Sequence, residues 1–478
     1  MRFCFITIFL AFFVACALAD DTAQTSTVFN WNLQLPFIPH SIYQPSTLAE
    51  IQAIVIDAKA NNRPVRVMGA GHSFGPIIQT PGILIQTMNL TGITTVDPIN
   101  LIVRVLTGTT VNALDVYLTA NNWALPTGTV IDDLTVGGSV IPGCHGTGKS
   151  EGLVADRVRQ IRIVDAFGVL RTYTGEQLNY AVVSLGLLGV VYDMDIQASV
   201  AQNIHVLAQP APYNTTITAA SLMALFNANA GLEMYLPALS PTIQVRTTNP
   251  STAPSDFNFD AYIAAGAATV AAGLEFAPIF EEYPAVLSEV DNDSGFSIFA
   301  NQNSTWPEWA AVHYGPGIQG GPKMFNPELV IPVNNNLAGW QTAADALNYL
   351  NAQQFFFYNT YGQAPVTFGL NARYTGSTDM AASPCNVDAD VCMWIDILLG
   401  ENAAGTTDFM NTIYPVLTSA PFHGEYHWAK TWSQVPPSQS AKLAGLIAFR
   451  DFMNVDPTGI FWNEALLRVA VQEFAPVI

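Results

Sequence analysis

Four glycine-rich segments lie between residues 69 and 189 and constrain the fold more than any other feature of the sequence. They are Gly69-Ala70-Gly71-His72-Ser73-Phe74, Gly137-Gly138, His145-Gly146-Thr147-Gly148, and Gly186 with Gly189-Val190. Glycine lets the backbone turn sharply and approach a ligand closely. Each segment abuts short apolar runs that are typical of strands. Together they predict a large cofactor bound between backbone loops, with its pyrophosphate held by N–H groups.

The third segment also matches an unrelated motif. Residues 143–150 fit the phosphate-loop pattern GxxxxGK[ST]. That loop must follow a buried strand and open a helix whose N-terminus faces the phosphates. Here Pro142 precedes it, and the following EGLVADRV is a poor helix interrupted by Gly152. We therefore do not predict a nucleotide hydrolase.

Apolar spacing predicts short strands and a few helices up to about residue 205. The capping box Thr47-Leu-Ala-Glu50 marks the start of one helix. A second helix is predicted near Val111–Ala120, and a hairpin joins Ile161–Val164 to Val169–Tyr173.

The later part of the chain differs in composition and in its apolar pattern. Between residues 206 and 300, alanine-rich stretches such as Asp260–Glu275 predict helices between proline-rich loops. Around 327–400, the runs Leu329–Val333, Gln353–Tyr358 and Val391–Leu398 favour an antiparallel sheet beside helices such as Leu337–Leu350. The tail from about residue 431 is mostly helical. The predicted fold class is α+β.

The first 19 residues are typical of a secretory signal peptide. One arginine precedes an apolar run that ends in Ala17-Leu-Ala. We expect a secreted, extracellular protein, and no later run is long and apolar enough for a membrane span. Four triplets are candidate N-glycosylation sites, at Asn89, Asn214, Asn292 and Asn303.

The charge of the chain narrows its possible partners, and its cysteine content bears on disulfides and metal binding. The chain has 37 acidic and 17 basic residues, for a net charge of −20, so nucleic acid is a poor partner. After the leader, the cysteines are Cys144, Cys385 and Cys392. The last two can close a small disulfide loop in an oxidising compartment, which would leave Cys144 unpaired. The sequence has no CxxC or His/Cys cluster, so we predict no metal.

The glycine segments occur in an order that resembles a known family. RVMGAGHSF, VGGSVIPGCHGTG and VSLGLLGVV look like the FAD-binding domain of the vanillyl-alcohol-oxidase flavoprotein superfamily. Farther along lie ELVIP at 328–332, NAR at 371–373, HWAK at 427–430 and DPTG at 456–459. This ordered set resembles the sugar-1,4-lactone oxidases (L-gulonolactone and D-arabinonolactone oxidase) and the alditol oxidases, over nearly the whole chain after residue 19.

The resemblance implies a fold and a cofactor. A two-part, PCMH-type FAD-binding domain would comprise residues 38–205, completed by a helical segment at 431–478. A substrate domain at 206–430, built on an antiparallel sheet with helices, would cap it. FAD would be attached covalently through His72, since a neutral imidazole nitrogen is a nucleophile near pH 7. On the residues alone, a structural role for His72 is the alternative.

The resemblance also implies a reaction. A secreted oxidase would transfer hydride from a sugar lactone, alditol or related polyol to flavin N5 and then reduce O2 to H2O2. Arg373 and Lys430 would stabilise the anionic reduced flavin. His427 would orient Lys430 or the substrate, and His145 would line the flavin. For both histidines, simple packing is the alternative.

Asn371 departs from the family pattern, which has a glutamate there. An amide cannot take a proton from a hydroxyl at neutral pH. Either another base such as Glu328 or water takes the proton, or the substrate differs from the usual lactones, or activity is weak. Two rival functions stay open: a dehydrogenase with another electron acceptor, and a secreted flavin- or sugar-binding protein whose catalysis is degraded.

Overall fold

A computed structural model describes residues 26–31, 33–260, 302–312, 324–432 and 435–471. The strands in chain order are β1 Ser41–Tyr43, β2 Val65–Met68, β3 Ile83–Gln86, β4 Ile93–Asp97, β5 Ile102–Leu106, β6 Trp123–Ala124, β7 Val158–Val164, β8 Leu170–Tyr173, β9 Val190–Gln197, β10 Ser199–Val200, β11 Asn203–Pro212, β12 Gly231–Leu236, β13 Thr242–Ser251, β14 Gln302–Pro307, β15 Met324–Phe325, β16 Glu328–Val333, β17 Leu370–Gly376, β18 Val391–Ile397, β19 Leu399–Gly400 and β20 Glu425–Tyr426. The helices are α1 Leu48–Ala60, α2 Val111–Ala120, α3 Val136–Val140, α4 Leu178–Ala181, α5 Tyr213–Thr216, α6 Ala219–Ala228, α7 Glu308–Val312, α8 Leu337–Tyr361, α9 Thr406–Leu417, α10 Pro437–Phe452 and α11 Glu464–Val471.

The first sheet is small and parallel, with strand order β1-β3-β2. Helix α1 follows β1 and begins at the predicted capping box, in which Thr47 and Glu50 each accept from the other's backbone. Strand β2 runs directly into Gly69. The first glycine segment therefore starts at the end of a strand held on one side by β3.

A second sheet is antiparallel, with strand order β4-β5-β9-β7-β8. The predicted hairpin is confirmed as β7 and β8. Its turn is held by Asp165, whose Oδ1 accepts from the N–H groups of Phe167 and Val169 at 2.9 Å each. Helix α2 is also confirmed, capped by the Thr110 side chain.

The largest sheet of the described residues has eight antiparallel strands in the order β14-β11-β13-β12-β17-β18-β16-β20. The predicted strands at 329–333 and 391–398 are confirmed as β16 and β18. Helix α8 packs on this sheet through Trp340 and Leu347, which are fully buried. A hydrophobic core continuous with the five-stranded sheet results.

One prediction from the middle of the chain is wrong, and another is incomplete. Gln353–Tyr358 is not a strand but the end of α8, which continues to a left-handed Gly362. Its three consecutive phenylalanines imitate a strand, yet only Phe357 among them is buried. The region after residue 206 contributes the long strands β11 and β13 and the shorter β12, not only helices. The predicted helix Asp260–Glu275 lies, beyond its first residue, outside the described residues.

The C-terminal segment returns to the first sheet. The N–H of Val65 donates to Ile460 O at 2.6 Å. The amide of Asn463 donates to Pro76 O at 2.8 Å. Helices α10 and α11 agree with the predicted helical tail, and the domain boundaries stay predictions.

Cys385 and Cys392 form the disulfide that their spacing allows, and Cys144 is a free thiol. Asn89, Asn214 and Asn303 are exposed. Asn292 and the predicted signal peptide lie outside the described residues. None of the helices in the described ranges has the length and apolarity needed to cross a bilayer.

Candidate active site

A cavity of about 470 Å³ lies between the glycine segments and the eight-stranded sheet. The sequence-predicted residues that line it are Gly69, Ala70, Gly71, His72, Ser73, Phe74, Gly137, Gly138, His145, Gly186, Gly189, Glu328, Asn371, Arg373, His427 and Lys430. Those predicted to bind a cofactor and those predicted to be catalytic therefore meet at one cavity.

Four predicted cofactor-binding residues do not line the cavity: Gly146, Thr147, Gly148 and Val190. Val190 is fully buried in the core beside β2 and β3. The N–H of Gly148 donates to Tyr374 O at 3.0 Å, which attaches this segment to β17. Val190 and Gly148 therefore support the wall of the cavity without lining it.

Close packing and backbone conformation explain two of the glycines. A β-carbon at Gly69 would stand 2.1 Å from Thr135 Oγ1, so the first segment lies directly against the start of α3. Gly71 has φ of +79°, which a side chain disfavours. The second segment, expected to be a turn, is instead the short helix α3, with Thr135 Oγ1 accepting from Gly138 N–H.

His72 lies at the cavity wall, with its side chain 5% exposed. Its Nε2 lies 3.2 Å from Asp133 Oδ1. Its ring stacks on Trp31 at 5.5 Å with an interplanar angle of 21°. Neither ring nitrogen has a hydrogen-bond partner within the described part of the chain, so the approach to Asp133 is not a hydrogen bond. A neutral imidazole keeps a lone pair on one ring nitrogen, so His72 can interact with another group at the cavity.

Strand register places one row of polar side chains on the cavity. Asn371 of β17 pairs with Tyr235 of β12 on one side and with Asp396 of β18 on the other. Asp396 in turn pairs with Glu328 of β16. Paired residues on neighbouring strands face the same way. All four residues line the cavity, and Arg373 joins them from two positions farther along β17.

Arg373 and Lys430 share two carboxylates. Arg373 Nη2 donates to Glu328 Oε1 and to Asp396 Oδ2, both at 2.6 Å. Lys430 Nζ donates to Asp396 Oδ1 at 2.6 Å and lies 3.7 Å from Glu328 Oε2. In the amide orientation that satisfies its neighbours, Asn326 donates to Asp396 and accepts from Lys430, both at 2.9 Å.

This network sets the ionisation of its members. Burial would raise the pKa of Glu328, but Lys430, His145 and Arg373 outweigh it and hold the pKa well below its usual range. Burial would lower the pKa of Lys430, yet its carboxylate neighbours, Asp396 first, raise it. Glu328 is therefore ionised and Lys430 protonated at neutral pH.

Two histidines complete the wall. His145 stacks on Trp394 at 3.7 Å, and its Nε2 lies 3.0 Å from Glu328 Oε1. Burial, and then the Arg373 charge, lower the pKa of His145. Burial lowers the pKa of His427 to about 3, so this ring is neutral, and its Nδ1 accepts from Ala429 N–H.

The same two histidines and Glu328 have ligand atoms within 4.8 Å of one another, a spacing that a metal ion could bridge. Arg373 Nη2 contacts Glu328 at 2.6 Å and lies 3.5 Å from His145 Nε2. A guanidinium already occupies the position where a cation would sit. This arrangement does not favour a metal at these three residues.

Asn371 is oriented by a carboxylate behind it. Its Nδ2 donates to Glu233 Oε1 at 3.0 Å, which turns Oδ1 away from Glu233. Oδ1 has no hydrogen-bond partner among the described residues, and neither do Arg373 Nε and Glu328 Oε2, although Lys430 Nζ lies 3.7 Å from the latter. Burial raises the pKa of Glu233 despite the nearby Arg246. The cavity thus offers two buried acceptors and one buried donor that ligand groups can satisfy.

Sequence reasoning missed four polar residues of this region, namely Arg66, Glu233, Asn326 and Asp396. Two of them carried a usable signal. Glu233 in GLEMYL and Asp396 in MWIDIL are charged residues inside apolar strand runs. A charge in such a run is buried and needs a partner or a function.

The phosphate-loop reading has no structural support. A short 3₁₀ turn at Val154–Arg157, rather than an α-helix, follows residues 143–150. Lys149 Nζ donates to Asn227 O at 2.9 Å, away from the cavity.

We expect Lys149→Ala to leave flavin content and turnover unchanged. An ATP- or GTP-dependent activity lost in this variant would contradict that.

The part of the chain that carries the first three glycine segments is similar to known proteins. Residues 39–174 match the family model "FAD binding domain". L-gulonolactone oxidase of Mus musculus is 29% identical over 172 residues, 35% of this chain and 39% of that protein. Alditol oxidase of a Streptomyces species is 32% identical over 172 residues, 35% of this chain and 41% of that protein. The matched part thus spans about two fifths of these relatives.

The likeness in fold extends farther than the likeness in sequence. Cholesterol oxidase from Brevibacterium sterolicum superposes with a TM-score of 0.77 at 15% identity, covering 93% of this chain and 96% of that one. Together with the family match, this confirms the predicted α+β fold, a PCMH-type FAD-binding fold with helices and an antiparallel sheet.

Proposed function

We propose that this chain, which carries an FAD-binding domain and is similar to sugar-lactone and alditol oxidases, is a secreted FAD-dependent oxidase. Its substrate is a sugar lactone, alditol or related polyol, and O2 is reduced to H2O2. One observation carries the proposal: the glycine segments and the polar row of the large sheet line the same cavity. A cofactor on one wall and a hydroxyl-bearing substrate on the other would meet there.

The residues present fit FAD. The glycine segments allow the backbone to approach a long cofactor closely. His72 supports the proposal, because it lines the cavity and neither of its ring nitrogens has a hydrogen-bond partner in the described ranges. When bound, FAD supplies the acceptor for a hydride.

The polar row fits a substrate with several hydroxyl groups. Glu328 is ionised, and its Oε2, which lies 3.7 Å from Lys430 Nζ and has no hydrogen-bond partner in the described residues, would accept the proton of the reacting hydroxyl. The Oδ1 of Asn371 accepts a hydrogen bond from a second hydroxyl. Arg373 and Lys430 stabilise negative charge that develops during hydride transfer.

Replacing His72 with alanine tests the covalent link. Wild-type protein should keep its yellow colour in the acid-precipitated polypeptide, whereas flavin of His72→Ala should be released into the supernatant. His205→Ala is the control, because His205 bonds Asn303 outside the cavity. Flavin freely extracted from the wild type would contradict a covalent link but not FAD binding.

The activity is tested by a peroxide-release screen over lactones, alditols and oligosaccharides, with the visible spectrum recorded first. Anaerobic bleaching of the flavin by a substrate, followed by stoichiometric H2O2 on admitting air, would support the oxidase. Bleaching that only dyes or quinones reverse would favour a dehydrogenase. A flavin that no substrate bleaches would contradict catalysis and favour a binding protein.

A further inference from the structure

Arg66 is a buried cation without an anionic partner among the described residues. It lies on β2, three residues before Gly69, and is 4% exposed. Along β2, Val65 is buried in the core behind the strand, whereas Arg66, Val67 and Met68 line the cavity. Burial lowers the pKa of Arg66 to about 10, and no charged group offsets that effect. The guanidinium is still protonated at neutral pH.

Three backbone carbonyls hold the guanidinium. Nε donates to Ile77 O at 2.8 Å, Nη1 to Phe461 O at 2.7 Å, and Nη2 to Leu185 O at 2.6 Å. These neutral acceptors orient Arg66 but do not neutralise it. A guanidinium has five N–H donors, so one on each terminal nitrogen is left over.

Gly186 keeps the terminal nitrogens uncovered. A β-carbon there would stand 3.4 Å from both Nη1 and Nη2. Gly186 itself lines the cavity and has φ of +74°. A side chain at this position would contact the guanidinium, and glycine leaves Arg66 without that contact at the cavity.

We propose that Arg66 binds the pyrophosphate of FAD. This inference rests on the proposed function, and it goes beyond the expectation that backbone N–H groups alone hold the phosphates. A buried cation is stabilised by an anion, and the pyrophosphate is the anionic part of FAD. The oxidised isoalloxazine and the adenine are neutral, so neither offers a charge that would compensate Arg66.

The test compares ligands that differ in phosphate content. In the His72→Ala background, apo-protein is titrated with riboflavin, FMN and FAD, and binding is followed by flavin fluorescence. We expect Arg66→Met to weaken FAD binding by about 10- to 100-fold and leave riboflavin binding unchanged. Arg104→Met is the matched control, because Arg104 is paired with Asp195 at 2.6 Å away from the cavity.

Arg66→Lys guards against a variant that fails to fold. It keeps the charge but cannot reach all three carbonyls, so FAD affinity should be intermediate. Inorganic pyrophosphate should also raise the melting temperature of apo-protein with Arg66 and not of apo-Arg66→Met. Equal losses for riboflavin and FAD would overturn the proposal and make Arg66 a purely structural residue. Wild-type protein that carries no flavin would instead overturn the proposed function.

Discussion

Arg373→Ala should slow flavin reduction by about 100- to 1,000-fold, the usual effect of losing one preorganised charge-stabilising donor. Flavin reoxidation should change far less, because Glu328 and Asp396 hold the guanidinium on the wall formed by the large sheet, where the proposed substrate would lie. Stopped-flow absorbance measures both half-reactions. Arg450→Ala is the control, since Arg450 is a buried arginine paired with Asp451 outside the cavity.

The same change should also destabilise the fold. Removing Arg373 leaves Glu328 and Asp396 with Lys430 as their remaining cation, and breaking a buried pair typically costs about 3–5 kcal/mol. Flavin content must therefore be compared at equal folded fraction. Arg373→Lys retains the charge and should recover part of the rate. Reduction at the wild-type rate in folded Arg373→Ala would remove this arginine from the mechanism.

Glu328→Gln should lower the rate of flavin reduction by about 100- to 10,000-fold if Glu328 accepts the hydroxyl proton, because an amide cannot do so. Glu425→Gln is a matched control: Glu425 is also buried and paired with Lys442 at 2.8 Å, but it does not line the cavity. A near-normal rate in Glu328→Gln would exclude this role and leave Asp396 as the carboxylate to replace next.

The pH dependence of flavin reduction should reflect the lowered pKa of Glu328. A base whose pKa is depressed keeps its ionised form as the pH falls through about 4.3, the ordinary glutamate value. The wild-type reduction rate should therefore hold through that region. The stability contributed by Glu328 is present above the unfolded pKa and lost as the pH falls through the folded one. Thermal unfolding from pH 6 down to acid measures this loss.

Asn371 shows how the fold changes the meaning of a residue. From sequence, it is a lost base with three open explanations. In the fold, its amide is oriented by Glu233, its free oxygen lines the cavity, and carboxylates lie on two neighbouring strands. Asn371→Glu would place a further carboxylate beside Glu233, Asp396 and Glu328. We therefore expect it to bind a proton and fail to raise turnover.

Local patterns in the sequence determined much of this protein. The capping box of α1, the hairpin β7–β8 and the order of the glycine segments depend on neighbouring residues, so short-range chemistry suffices to predict them. The disulfide between Cys385 and Cys392 was likewise within reach of their spacing. The motifs RVMGAGHSF and HWAK are contiguous in the chain, and their residues form a large part of the cavity wall.

Tertiary structure alone decided which charges meet. The register of antiparallel strands makes neighbours of four residues that are far apart in the chain, namely Glu233, Asn371, Asp396 and Glu328. A shift of one residue in that register would turn every side chain of a strand to the other face. Arg66 also acquires its surroundings only in the fold, because its guanidinium donates to backbone carbonyls from three separate segments of the chain. Burial and pairing, which set ionisation, are properties of the folded chain, so the sequence could supply these residues but not their roles.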